Sequence, residues 1–153
     1  MRIIILAVSA LLGSCAATYK QPITVAPQIS FSVAASKADL LLSAKRVLVA
    51  EGFQITNNDD SAGVISTAPR NLRVTPEQAD CGTTMGIDYL KDNRTATRVG
   101  FGVIAEEGKL LVRTMIEGDY KPGAVDQNIT LTCVSRGSLE RDMLAKITAG
   151  VSR

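Results

Sequence analysis

The chain has no histidine and no tryptophan, and aromatic residues make up only 4% of it. Without histidine, Ser-His-Asp and Cys-His catalysis are excluded, and so is the commonest metal ligand. With so few rings, the core has to be aliphatic. A carbohydrate or single-stranded nucleic-acid platform, which works by ring stacking, is not expected. There is no polybasic run, and the formal net charge is only +2. Nothing therefore provides the phosphate-neutralising surface of a nucleic-acid binder. What the chain does have is 153 residues with 46% apolar side chains, enough for one domain with an ordinary core.

Several motifs of chemistry are also missing. There is no Gly-x-Ser-x-Gly elbow and no Ser-x-x-Lys pair. Gly102 to Lys109 approaches a phosphate loop, but it is one residue too long and Leu110 stands where Ser or Thr is required. Asp59, Ser61 and Gly63 resemble the start of a calcium loop, yet the glutamate needed at the twelfth position is Arg70. Both stretches read as turns. No cofactor and no metal site is expected. The paired arginines, Arg70 with Arg73 and Arg94 with Arg98, could hold an anionic group, but solvated surface is the expected role.

The first residues are patterned differently from the rest. Arg2 is followed by an almost unbroken apolar run from Ile3 to Leu12, then by Gly13 and Ser14. A charged start, a short apolar stretch and small residues make a signal peptide. The run is far below the roughly 20 residues of a membrane span. Leu12-Gly13-Ser14-Cys15 resembles the lipobox of bacterial lipoproteins: an aliphatic residue, two small ones, then cysteine. That resemblance implies lipid on the Cys15 thiol and cleavage before it. Ala16 rather than Asp after the cysteine implies delivery to the outer membrane in a Gram-negative cell. The alternative is an ordinary signal peptide cut near Ser14-Cys15-Ala16. Residues 1–14 are accordingly expected as signal, 15–30 as a lipidated tether broken by Pro22 and Pro27, and 31–153 as a single domain.

Three cysteines are an odd number for an exported chain. Given lipid on Cys15, Cys81 and Cys133 remain as a pair. Being 52 residues apart and without histidine, they suit a structural disulfide better than a metal site.

Along the mature chain, Phe31 to Val33 is expected as a short strand. Ser36 with Asp39 caps a helix ending at Gly52. Its period puts Leu40, Leu41, Ala44, Val47 and Leu48 on one arc, with Asp39, Ser43 and Arg46 opposite and a minor patch at Leu42 and Val49. Residues 53–56 and 64–67 read as a hairpin, with an edge strand conceivable around Ile23 to Val25. Residues 79–94 are ambiguous. Thr95 to Val103 and Leu110 to Ile116 alternate and form the strongest hairpin. Asn128 to Val134 is a strand facing the core through Ile129, Leu131 and Cys133. Ser138 to Ala149 is a helix burying Leu139, Met143 and Ile147, with Asp142 and Lys146 as an i,i+4 pair.

This order implies an α+β fold, a largely antiparallel sheet with two helices packed on one face. It is similar to small envelope lipoproteins with helix-grip domains, such as the third lipoprotein component of the outer-membrane β-barrel assembly machinery. The likeness rests on element order over about residues 31–149, with Gly52-Phe53 following a helix. It implies a non-enzymatic binding or assembly module, held to the membrane through Cys15 and engaging an envelope protein. Two other classes stay open. One is a hydrolase using two carboxylates among Glu77, Asp80, Glu106 and Glu117. The other is a lipid or small-ligand carrier using the space between helix and sheet.

Overall fold

A computed structural model describes residues 19–23, 25–27, 29–123 and 128–151. The Cys15 motif and the expected signal sequence lie outside them. The fold is α+β, with largely antiparallel strands and two helices on one face of the main sheet.

The sheet is built on β9 (Thr95–Glu106) and β10 (Lys109–Tyr120), which pair without interruption from Lys109 opposite Glu106 to Tyr120 opposite Thr95. The alternation seen in the sequence is the reason. Val99, Phe101, Val103 and Ala105 share one face with Leu110, Val112 and Ile116, and all seven are buried. Outside β9 lie β4 (Val64–Thr67) and β5 (Arg70–Asn71), end to end, and β3 (Ile55–Asp59) pairs with β4. Outside β10 lie β2 (Ile29–Ser32), along residues 109–112, and β11 (Ile129–Ser135), along residues 116–120. The short β6 (Ala79–Asp80) closes that side against β11.

Helix α1 (Lys37–Ala50) starts at the expected cap. Ser36 Oγ accepts from the Asp39 N–H at 3.2 Å and donates to Asp39 Oδ2 at 2.7 Å. It ends with Gly52 N–H on the Val49 carbonyl and Phe53 N–H on the Leu48 carbonyl, both at 2.9 Å. Gly52 has a φ of 79°, the left-handed turn that glycine accepts without penalty. Leu40, Leu41, Ala44 and Leu48 are buried as the period required, and Val47 is half-buried. Ser43 departs from expectation. It is buried, because α2 (Ser138–Val151) lies along that side and the Ile147 carbonyl accepts from Ser43 Oγ at 2.6 Å. In α2, Leu139, Met143, Leu144 and Ile147 are buried. Lys146 pairs with Glu51 across the helices at 2.7 Å, not with Asp142 as expected.

The ambiguous stretch resolves into very short pieces: β6, β7 (Thr83–Thr84), β8 (Ile87–Asp88) and a 3-10 turn at Tyr89–Lys91. With β1 (Tyr19–Lys20), β7 and β8 make a separate small sheet. Two parts of the expected tether are therefore strands, β1 and β2, whereas Ile23 and Val25 lie exposed outside any strand. The Cys81–Cys133 disulfide ties this stretch to β11, with the two Cα atoms 4.0 Å apart. Gly118 makes room for it: a Cβ there would lie 3.0 Å from Cys133 Sγ.

Candidate functional site

The four acids proposed for hydrolytic chemistry are spread over separate partners. Glu117 pairs with Arg98 at 3.1 Å and Glu106 with Lys109 at 3.9 Å. Asp80 Oδ1 accepts from the Gly82 N–H at 2.9 Å, and its Oδ2 is 3.8 Å from Arg136. Glu77 takes a hydrogen bond from the Thr75 hydroxyl, which holds its carboxyl below the usual range. The arginines are engaged likewise. Arg70 stacks on Phe53, its carbon 4.5 Å from the ring centre, and Arg73 donates to Asn93 at 3.0 Å. Arg94 grips Asp92 at 2.6 Å and lies over Tyr120, while Arg98 also reaches Asp119 at 3.3 Å. Among the described residues no group of three or more acid or cysteine side chains is placed to hold a metal ion.

Several concavities of the described residues are of similar size, about 400–510 Å³, and two of them gather buried or paired polar groups. A groove of about 510 Å³ runs beside the start of α1, lined by Leu41, Leu42, Lys45 and Asp60 among others. Its polar groups already satisfy one another. Lys45 pairs with Asp60 at 2.6 Å, the Ser61 carbonyl accepts from Lys37 Nζ at 2.6 Å, and Glu107 Oε2 accepts from the Lys37 N–H at 3.1 Å. The positive end of the helix thus has its anion in place.

The second cavity, about 450 Å³, opens at the edge of β10 and is left less complete. β2 covers this edge up to Val112 and β11 resumes at Ile116, so among the described residues no strand pairs with Arg113–Met115 there. Arg113, Thr114 and Met115 line the notch with Ser66 and Gly102, and Ala26 and Pro27 border it. Among the described residues, no atom approaches within 4 Å of where a Gly102 Cβ would stand, so the floor is open to them. Glu140, only 2% exposed, also lines the cavity. It lies in the first turn of α2, where the helix dipole favours a carboxylate. Its Oε2 accepts from Ser135 Oγ at 2.6 Å, and Ser135 Oγ in turn accepts from the Gly137 N–H at 3.0 Å. Thr114 Oγ1 is buried without a partner.

Sequence reading missed this site, although a signal for Glu140 existed. Positions 140, 143, 144 and 147 follow the helical core period, so a charged side chain stood at a core position. The edge notch had no such signal, because it depends on where two distant strands stop. Chemically, a buried carboxylate and an unpartnered hydroxyl lining one cavity can accept hydrogen bonds. Glu140 is the one acid among the described residues lining this cavity. The space between helices and sheet is filled by Leu40, Leu48, Val103, Leu110 and Ile147, all with no exposed surface.

No family model matches the chain, and no curated protein does. Among solved structures, a TBP-like protein from Parabacteroides distasonis is similar with a TM-score of 0.46 and 10% identity, over 69% of this chain and 64% of that one. The chain thus spans less than two thirds of that protein's length. Nothing about ligand or activity follows from a likeness of that size. No helix of the described residues is long and apolar enough to cross a membrane.

Proposed function

We propose that the protein is an envelope lipoprotein, anchored by lipid on Cys15 in the outer membrane, that acts as a non-enzymatic binding module. The observation that carries this reading is the Leu12-Gly13-Ser14-Cys15 sequence at the end of a short apolar run. The cysteine inventory supports it. Two of the three cysteines are joined in the Cys81–Cys133 bond, and Cys15 is the one left over. Two or three acyl chains, at about 0.8 kcal/mol per buried methylene, hold a protein to a bilayer firmly.

The binding surface we assign to the notch at Arg113–Met115. Glu140 and the Thr114 hydroxyl would receive a donor group, such as an amine, from an envelope protein, with Met115, half exposed, as the apolar contact. Mass measurement of protein from its native host tests the anchor. An acylated Cys15 at the N-terminus is expected, with Cys15→Ser releasing the protein into the soluble fraction. An unmodified N-terminus at Ala16 or Ala17 refutes it. A photo-crosslinking residue at Met115 in the native envelope tests the notch. A discrete adduct that Glu140→Gln abolishes is expected, and identical adducts from a control position at Arg46 would dismiss it.

A further inference from the structure

The described chain begins at Tyr19, and it begins paired. Tyr19 stands opposite Thr84 and Lys20 opposite Thr83, antiparallel to β7. The seat is backbone on backbone. Gly82 has a φ of 81°, and a Cβ there would fall 2.2 Å from the Lys20 carbonyl oxygen, so no side chain fits. The Tyr19 ring packs 5.9 Å from that of Tyr89.

Beside this seat is the turn joining β7 to β8, Met85-Gly86. Both residues have positive φ, 48° and 79°, as in a tight hairpin turn. Such positions favour Gly, Asn or Asp. Met85 is the one described residue other than glycine in this conformation. It is also 83% exposed, and Ile87 is 60% exposed. Among the described residues, no atom approaches within 4 Å of a Cβ built on Gly86. A long apolar side chain in a disfavoured backbone state, projecting into water, stabilises nothing within the fold.

The position of this tip relative to the anchor is the second observation. β1 runs antiparallel to β7, so its first residue is at the Met85-Gly86 end of the hairpin. Cys15 precedes Tyr19 by four residues. Four trans peptide steps span at most about 15 Å, whereas a tether running to residue 30 would allow roughly 50 Å. Lipid on Cys15 therefore holds the bilayer surface close to this one face.

We propose that the β7–β8 tip is a membrane-docking element: Met85 and Ile87 enter the interface of the bilayer that anchors the chain. This rests on the lipidated Cys15 proposed above and adds an orientation to it. Leu42 and Val49 on α1, another exposed apolar pair, are remote in sequence from Cys15 and serve as the comparison.

The absence of tryptophan makes the test direct. Met85→Trp and Leu42→Trp each introduce a single reporter into the full lipidated chain. It is reconstituted in phosphatidylethanolamine–phosphatidylglycerol vesicles with or without brominated acyl chains. Met85→Trp is expected to shift to the blue and to be quenched on the order of twofold by brominated lipid, as for a side chain about 5–10 Å into the interface. Leu42→Trp is expected to stay water-exposed. Met85→Trp remaining open to iodide on vesicles that carry the protein overturns the inference, and quenching at Leu42→Trp instead moves docking to α1. Amide exchange over residues 83–88 of the unsubstituted protein gives the same decision without a variant: protection on vesicles supports docking, and unchanged exchange refutes it. Mass measurement on the same preparation separates the two readings. Cys15 without lipid removes the anchor and this inference together, while lipidated Cys15 with a water-facing tip removes the inference alone.

Discussion

At Glu140 a carboxylate is held inside the protein with 2% of its surface exposed. A buried charge has to be hydrogen-bonded, or its desolvation cost goes uncompensated. The Ser135 hydroxyl supplies one such bond at 2.6 Å, and the first turn of α2 adds a favourable dipole. Ser135→Ala leaves the carboxylate short of a donor and the Gly137 N–H short of an acceptor. A loss of about 1.5–3 kcal/mol is expected in urea unfolding, the range for a bond to a charged group. A change within about 0.5 kcal/mol would mean that water replaces the hydroxyl at no cost. Asp92 is the contrasting surface case. The Arg94 side chain, and then its backbone N–H, hold the Asp92 carboxyl at about 2. The unfolded value is about 3.9, so the folded value is the lower of the two. The contribution to stability is complete above roughly pH 4 and is lost as pH falls through about 2. Arg94→Ala should return the Asp92 midpoint toward the ordinary carboxylate range in an NMR titration. An unchanged midpoint would assign the shift to another group.

Elements with a strong period were legible in the sequence, and those without one were not. α1 declared its cap, its buried arc and its stop, because each is a local property of the chain. Leu48, with no exposed surface, is the clearest test of that arc. Leu48→Ala should cost about 2–5 kcal/mol, and a cost near zero would mean that the face is solvated. Ser43 was misjudged because a single helix period assumes one partner, whereas α1 is packed against both the sheet and α2. Asp142 and Lys146 were spaced correctly for a pair, but Glu51 at 2.7 Å takes the lysine. β6, β7 and β8 have two residues each, too few for any alternation to register. They exist because the sheet, the disulfide and β1 hold them. β1 was hidden for a related reason: a strand at an edge needs its partner's backbone more than a pattern of its own, whereas β2 was expected from Phe31 and starts two residues earlier, at Ile29. The notch with Glu140 inherits both difficulties, since its walls belong to elements far apart in the chain.

For the whole molecule, the Cys81–Cys133 bond is the link between the weakly specified stretch and the main sheet. Cys133 stands opposite Ile116 on the inner face, and Cys81 has no exposed surface. On the chain-entropy model, closing a loop of 52 residues contributes roughly 4 kcal/mol, an upper estimate. Its structural consequence reaches further. Gly82, next to Cys81, is the seat of β1, and Tyr89, packed on both Tyr19 and Tyr120, belongs to the same stretch. Breaking the bond should therefore release the start of the chain as well as lower global stability. Free-thiol labelling of the unfolded, unreduced protein should find Cys81 and Cys133 unreactive, and labelling at both would refute the bond. Reduction should lower the unfolding midpoint, and the Cys81→Ala, Cys133→Ala double variant should match that loss and be indifferent to reductant. Lys20 lies exposed in β1 and offers a trypsin site. With β1 seated, cleavage after Lys20 requires local opening, so reduction should accelerate cutting there before the core is attacked. Equal rates with and without the bond would show that β1 is held by its own pairing with β7, independently of the disulfide.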